Sequence, residues 1–60
     1  MKEELINSIE FTKEEYNEKT NGEGFATFDE FIDNIISSVE ENNGTLEDAI
    51  FIANDSYNNL

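Results

Sequence analysis

Sixty residues carry 15 acidic and 3 basic side chains, a net charge of −12, with no histidine, cysteine, tryptophan or proline. A chain of this size makes one small domain whose apolar burial barely exceeds the entropy of ordering it. It has no thiols for disulfides and no thiolate or imidazole ligands for structural zinc. It also lacks the long apolar run of a membrane span and the apolar core of a signal peptide, so the expected setting is cytoplasmic, without a membrane partner.

At the start of the chain, Leu5, Ile6 and Ile9 form one narrow apolar stripe among Glu3, Glu4 and Glu10. The spacing predicts a helix over about 2–10, with a short strand through Leu5, Asn7, Ile9 and Phe11 as the alternative. Thr12 followed by Glu15 is a capping box, with Phe11 and Tyr16 in the two places of a hydrophobic staple, so a second helix should cover 12–19. Asn21-Gly22-Glu23-Gly24 then turns the chain. Phe25 follows the turn, either as a plug on the edge of the core, the reading adopted, or as an exposed anchor.

Thr27 and Glu30 repeat the box and open the organising helix, expected over 27–41, in which Phe28, Phe31, Ile32, Ile35, Ile36 and Val39 recur on one face. Asn42-Asn43-Gly44 should end it, with Gly44 in the left-handed position after the cap. A third box, Thr45 and Asp48, starts a last helix over 45–59 with the stripe Leu46, Ala49, Ile50, Ala53, Tyr57 and Leu60. The short connection makes the last two helices antiparallel neighbours. Phe51 and Ile52 widen the last stripe and are expected to meet the first helix, with an exposed patch as the alternative. The fold class is therefore all-α, a single-domain bundle of three to four short helices.

The charge excludes more than it identifies. Duplex DNA carries about one charge per 1.7 Å, so twelve charges match roughly 20 Å of duplex. That length is comparable to the width of a chain with a radius of gyration of about 10 Å. Direct nucleic-acid binding is disfavoured and attraction to a basic surface favoured, while solubility is a competing use of the same charge. Glu14, Glu15 and Glu18 on the second helix and Asp29, Asp33, Glu40 and Glu41 on the third are the candidate partner-binding residues. Phe25, Phe51 and Ile52 are the candidate apolar anchors. Lys2, Lys13 and Lys19 are too few for a DNA-recognition helix. Adjacent carboxylates such as Glu14–Glu15 and Glu40–Glu41 diverge by about 100° around a helix, and there is no histidine to pair with them. No enzymatic activity and no cofactor are expected.

Lys19 to Phe31 resembles the loop and exiting helix of an EF-hand: Asn21, Glu23, Gly24 and Glu30 fall at positions 3, 5, 6 and 12. Lys19 at position 1 and Ala26 at position 8 depart from that pattern, and a glycine turn feeding the Thr27–Glu30 cap accounts for the same residues, so no metal site is expected. In type rather than motif, the small size, acidic helical surface and lack of catalytic groups resemble phage-encoded DNA-mimic inhibitors, including anti-CRISPR and anti-restriction proteins. The resemblance implies an inhibitor acting in the host cell cytoplasm by occupying the basic nucleic-acid channel of a nuclease or another DNA-binding protein. The alternatives are an adaptor or transcription accessory protein docking through an apolar helix face, and an acidic antitoxin or immunity protein that masks a basic toxin. A homodimer also stays open.

Overall fold

Three threonines set where three of the four helices begin. In the computed structural model, which describes residues 1–21 and 24–60, α1 spans Lys2–Ser8, α2 Lys13–Thr20, α3 Phe28–Glu41 and α4 Leu46–Asn58. The hydroxyls of Thr12, Thr27 and Thr45 accept the backbone N–H of Glu15, Glu30 and Asp48 at 3.1, 3.2 and 3.3 Å. The carboxylates of the same three residues accept the threonine N–H groups at 2.9, 3.3 and 2.9 Å. Each reciprocal pair satisfies two donors that the first turn of a helix leaves orphaned. The protein is all-α, and among the described residues no strand forms.

The first helix stops two residues earlier than the spacing predicts. Ile9 leaves α1 in an extended conformation (φ −75°, ψ 161°), and the Glu10 N–H donates to the Asn54 side-chain oxygen on α4 at 2.9 Å. The physical reason is Phe11. Six residues past Leu5 it would lie well off the Leu5–Ile9 stripe of a continuous helix, and the break lets it enter the core instead.

At the other end of the organising helix, α3 closes in a Schellman motif. The Asn43 N–H donates to the Glu40 carbonyl at 3.2 Å and the Gly44 N–H to the Val39 carbonyl at 2.7 Å. The left-handed residue is Asn43, with φ 55°, not Gly44 as expected from composition. Gly44 is needed for space: a Cβ there would lie 2.8 Å from Val39 Cγ1 and 3.2 Å from the Val39 carbonyl oxygen. Gly44→Ala should therefore cost about 1–3 kcal/mol as an overpacking change, read as a lower urea midpoint with an unchanged slope. In the turn after α2, Asn21 is left-handed at φ 53° and Gly24 at φ 71°, while Gly22 and Glu23 lie outside the described residues.

The buried core comprises Leu5, Phe11, Tyr16, Phe28, Ile32, Ile35, Val39, Ala49 and Ala53. It lies around α3, which touches all three other helices, and α1 also touches α4. Ala49 and Ala53 are the small residues of the α4 stripe, and their size lets that helix come close. Phe31 and Ile36 flank the α3 stripe and are half-buried. The chain measures 32 × 20 × 19 Å with a radius of gyration of 10.9 Å.

Aromatic packing joins the ends of the chain. The Phe11 ring stacks on Tyr57 at 4.1 Å and meets Phe28 and Phe31 edge-on at 6.3 and 6.0 Å. Tyr16 meets the same two rings at 5.7 and 4.8 Å, so Phe11 and Tyr16 are linked through α3. The Tyr16 hydroxyl donates to the Ala26 carbonyl at 2.7 Å, tying the loop before α3 to α2. Burial pushes the phenol pKa above its ordinary value, and the Glu30 carboxylate adds to the shift. The folded chain thus keeps this proton beyond the pH at which the unfolded chain loses it, about 10. The stabilisation is intact below that pH and is lost as pH rises through the higher folded value. Tyr16→Phe should flatten this alkaline loss while costing about 0.5–1.5 kcal/mol at neutral pH for the missing hydrogen bond, measurable by urea melts across the alkaline range.

Candidate partner-binding surface

Helix α2 presents Glu14 and Glu18 one turn apart on the same face, both exposed. Glu15, on the adjoining face, is committed to the Thr12 cap, so its position is fixed and part of its accepting capacity is taken. On α3, Asp29, Asp33 and Glu40 follow one another at spacings of four and seven residues, which keeps them within about 20° of one row. Glu41 stands beside them in the last turn.

This row is not of one sign, as the sequence of α3 alone implies. Lys2 reaches across from α1, placing Nζ 3.0 Å from Asp33 and 3.8 Å from Asp29. The hydrogen bond to Asp33 holds the lysine pKa above its ordinary value against some loss of solvation, and the charges of both aspartates assist. Lys19 is also engaged: Nζ donates to the Tyr57 carbonyl at 2.9 Å and lies 4.3 Å from the centre of the Tyr57 ring. It binds a carbonyl near the negative end of α4. Neither contact has a local sequence signal, because each partner is more than 25 residues away.

Glu14, Glu18, Glu40 and Glu41 make no intramolecular ion pair or side-chain hydrogen bond among the described residues. Two of these four stand where the helix disfavours them. Glu40 and Glu41 occupy the last turn of α3, which holds no basic residue, and there the partial negative charge of the free carbonyls opposes each carboxylate by about 0.3–1 kcal/mol.

The loop that resembles an EF-hand is occupied by other work in its described part. Glu30 accepts both the N–H and the hydroxyl of Thr27, Lys19 is directed at α4, and Asn21 ends α2. Glu23 lies outside the described residues. Among the described residues no group of three or more carboxylates is placed to hold a metal ion. Calorimetry with micromolar calcium should give no binding isotherm; saturable heat that disappears in Glu30→Gln would contradict this.

The apolar anchors fall differently from expectation. Phe25 is 51% exposed and does not plug the core, whose buried aromatic members are Phe11, Tyr16 and Phe28. Phe51 is 71% exposed, in keeping with the exposed patch that is the alternative to burial. It lies two residues from both Ala49 and Ala53, about 180° around the helix from the middle of the buried row that those alanines mark. Ile52, nearer that row, is half-buried against the core. Phe51 and Ile52 both line an open groove of about 320 Å3 between the end of α3 and the start of α4.

No described helix is long and apolar enough to cross a membrane. Comparison with protein-family models, curated proteins and solved structures gives no match.

Proposed function

We propose that this chain is a non-enzymatic acidic binding protein that inhibits a nucleic-acid-binding protein or nuclease by occupying its basic nucleic-acid site, in the manner of anti-CRISPR and other phage-encoded DNA mimics. The observation that carries the reading is the placement of unpaired carboxylates where they do not help the fold. Glu40 and Glu41 crowd the negative end of α3, within a net charge of −12 that exceeds the magnitude of about 2–8 that serves solubility in a small domain. Side chains placed against the local preference of their helix are expected at functional surface, where a local rule is broken for another use.

In this mechanism Glu14, Glu18, Glu40 and Glu41 stand in for phosphates at arginine and lysine side chains of the partner, with bidentate arginine–carboxylate pairs contributing most of the energy. Asp29 and Asp33 take part at the cost of sharing Lys2, and Glu15 serves through its unengaged oxygen. Binding and inhibition are competitive with nucleic acid and involve no turnover.

A second reading, an adaptor that docks through an apolar helix face, is favoured by one observation, the exposure of Phe51 beside the α3–α4 groove. The experiment that separates the two is capture of the partner from native host extract on immobilised protein, followed by elution with duplex DNA or RNA. Release of a nucleic-acid-binding protein by the competitor supports mimicry. A partner indifferent to nucleic acid but released by Phe51→Ala supports the adaptor.

A further inference from the structure

The groove where α3 hands over to α4 has walls of contrasting chemistry. Ser38, Val39 and Asn42 line it from α3, and Asp48, Phe51 and Ile52 from α4. The Phe51 ring is its exposed apolar surface. Glu47 and Asp55 stand one turn before and one turn after Phe51 on the same helix, and with Asp48 all three carboxylates are exposed. Asp48 uses one oxygen to cap α4 and keeps the other.

No lysine or arginine follows Lys19 in the chain. The lysines that do reach these helices are held at the far end of the hairpin, Lys2 on Asp29 and Asp33 near the start of α3 and Lys19 on Tyr57 near the end of α4. The groove end therefore combines an aromatic face with uncompensated negative charge.

A guanidinium group suits such a site in three ways. It is planar and weakly hydrated, so it stacks on an aromatic ring. Its fork of donors matches a carboxylate. Its aliphatic stem can lie along Ile52 and Val39 while the charge stays at the rim. A second copy of the chain would bring its own −12 to this surface, and a neutral aliphatic segment would leave Glu47, Asp48 and Asp55 without counter-charges. We propose that the α3–α4 groove receives an arginine side chain of a basic protein partner, with Phe51 as the stacking platform and Glu47, Asp48 and Asp55 as the surrounding carboxylates. This rests on the reading that the partner is basic, and it deepens that reading by separating arginine from charge in general.

The test uses the whole chain with hexa-arginine and hexa-lysine peptides as probes, titrated at low salt and followed by amide chemical shifts. Hexa-arginine should bind about two- to fivefold more tightly than hexa-lysine, the size of an exposed cation–π contact, with the largest shifts at Val39, Asn42, Asp48, Phe51 and Ile52. Phe51→Ala should bring the two peptides to parity. Phe51→Trp, the sole tryptophan in the chain, should retain the preference and change its fluorescence on binding. Because residue 51 is exposed, both variants should keep the wild-type circular dichroism. Equal affinity of the two peptides, with shifts spread along α2 and α3, overturns the arginine site and leaves the basic-partner reading standing. If neither peptide binds saturably, both readings are overturned. Sedimentation equilibrium showing a dimer that Phe51→Ala dissociates identifies a second copy as the occupant and also overturns the proposal.

Discussion

Ile32→Ala should destabilise the protein by about 2–5 kcal/mol, the range for truncating a buried isoleucine. Ile32 is fully buried in the middle of the helix that touches all the others, so little of the cavity can be filled by relaxation. At about 0.05–0.15 kcal/mol per residue, a domain of this length has roughly 3–9 kcal/mol of stability in total. The substitution should therefore remove a large share of it and, at the low end of that stability, unfold the chain. Thermal and urea melts followed by far-ultraviolet circular dichroism measure the loss, and Phe51→Ala on the exposed side of α4 supplies a control whose midpoint should barely move. An Ile32→Ala midpoint equal to that of the wild type would place the core elsewhere.

The second large effect is expected on binding and has the opposite sign on stability. Reversing Glu40 and Glu41 to lysine puts cations at the negative end of α3, where they interact favourably with the free carbonyls. The variant should melt at or above the wild-type temperature. Each reversal adds two charges, taking the net charge from −12 to −8. If these carboxylates replace phosphates, two charge-assisted contacts of about 1.5–3 kcal/mol each are lost, and affinity for the partner should fall by about 100-fold or more. A variant that is more stable yet inactive cannot be explained by damage to the fold. Asp33 is a poorer test, because a lysine there would face Lys2 and disturb the contact between α1 and α3.

The helix starts were legible in the sequence because a threonine and an acidic residue three positions later act on the same turn, and nothing distant is needed to complete the box. The α3 stripe was legible for a related reason: six apolar side chains in one period leave one face to bury. Helix ends were less so. Asn43 rather than Gly44 takes the left-handed position because either residue tolerates it, and the close approach of Gly44 to Val39 follows from the Gly44 N–H bond to the Val39 carbonyl, which composition does not reveal.

The candidate site was legible as a set of exposed acids but not as a pattern of free and engaged ones. Lys2 over Asp29 and Asp33, and Lys19 over Tyr57, are contacts between elements far apart in the chain. Only the packing of the bundle places them. Phe25 lies in the bend before α3, where no period assigns a side, and it ends up exposed; on α4 the buried row of Ala49 and Ala53 leaves Phe51 facing outward.

If acidic side chains take the place of nucleic-acid phosphates, partner binding should depend steeply on salt. Displacing ions from a highly charged interface makes log K fall steeply with log salt, by about 0.9 per neutralised phosphate in duplex DNA. The affinity of the wild-type chain for its captured partner should fall with a slope of several units, and duplex DNA or RNA should compete for the same site. In the Glu40, Glu41 double reversal the slope should flatten, whereas Phe51→Ala should leave it unchanged. A flat salt dependence in the wild type, with full affinity retained by the double reversal, would rule out phosphate mimicry and leave the charge to solubility alone.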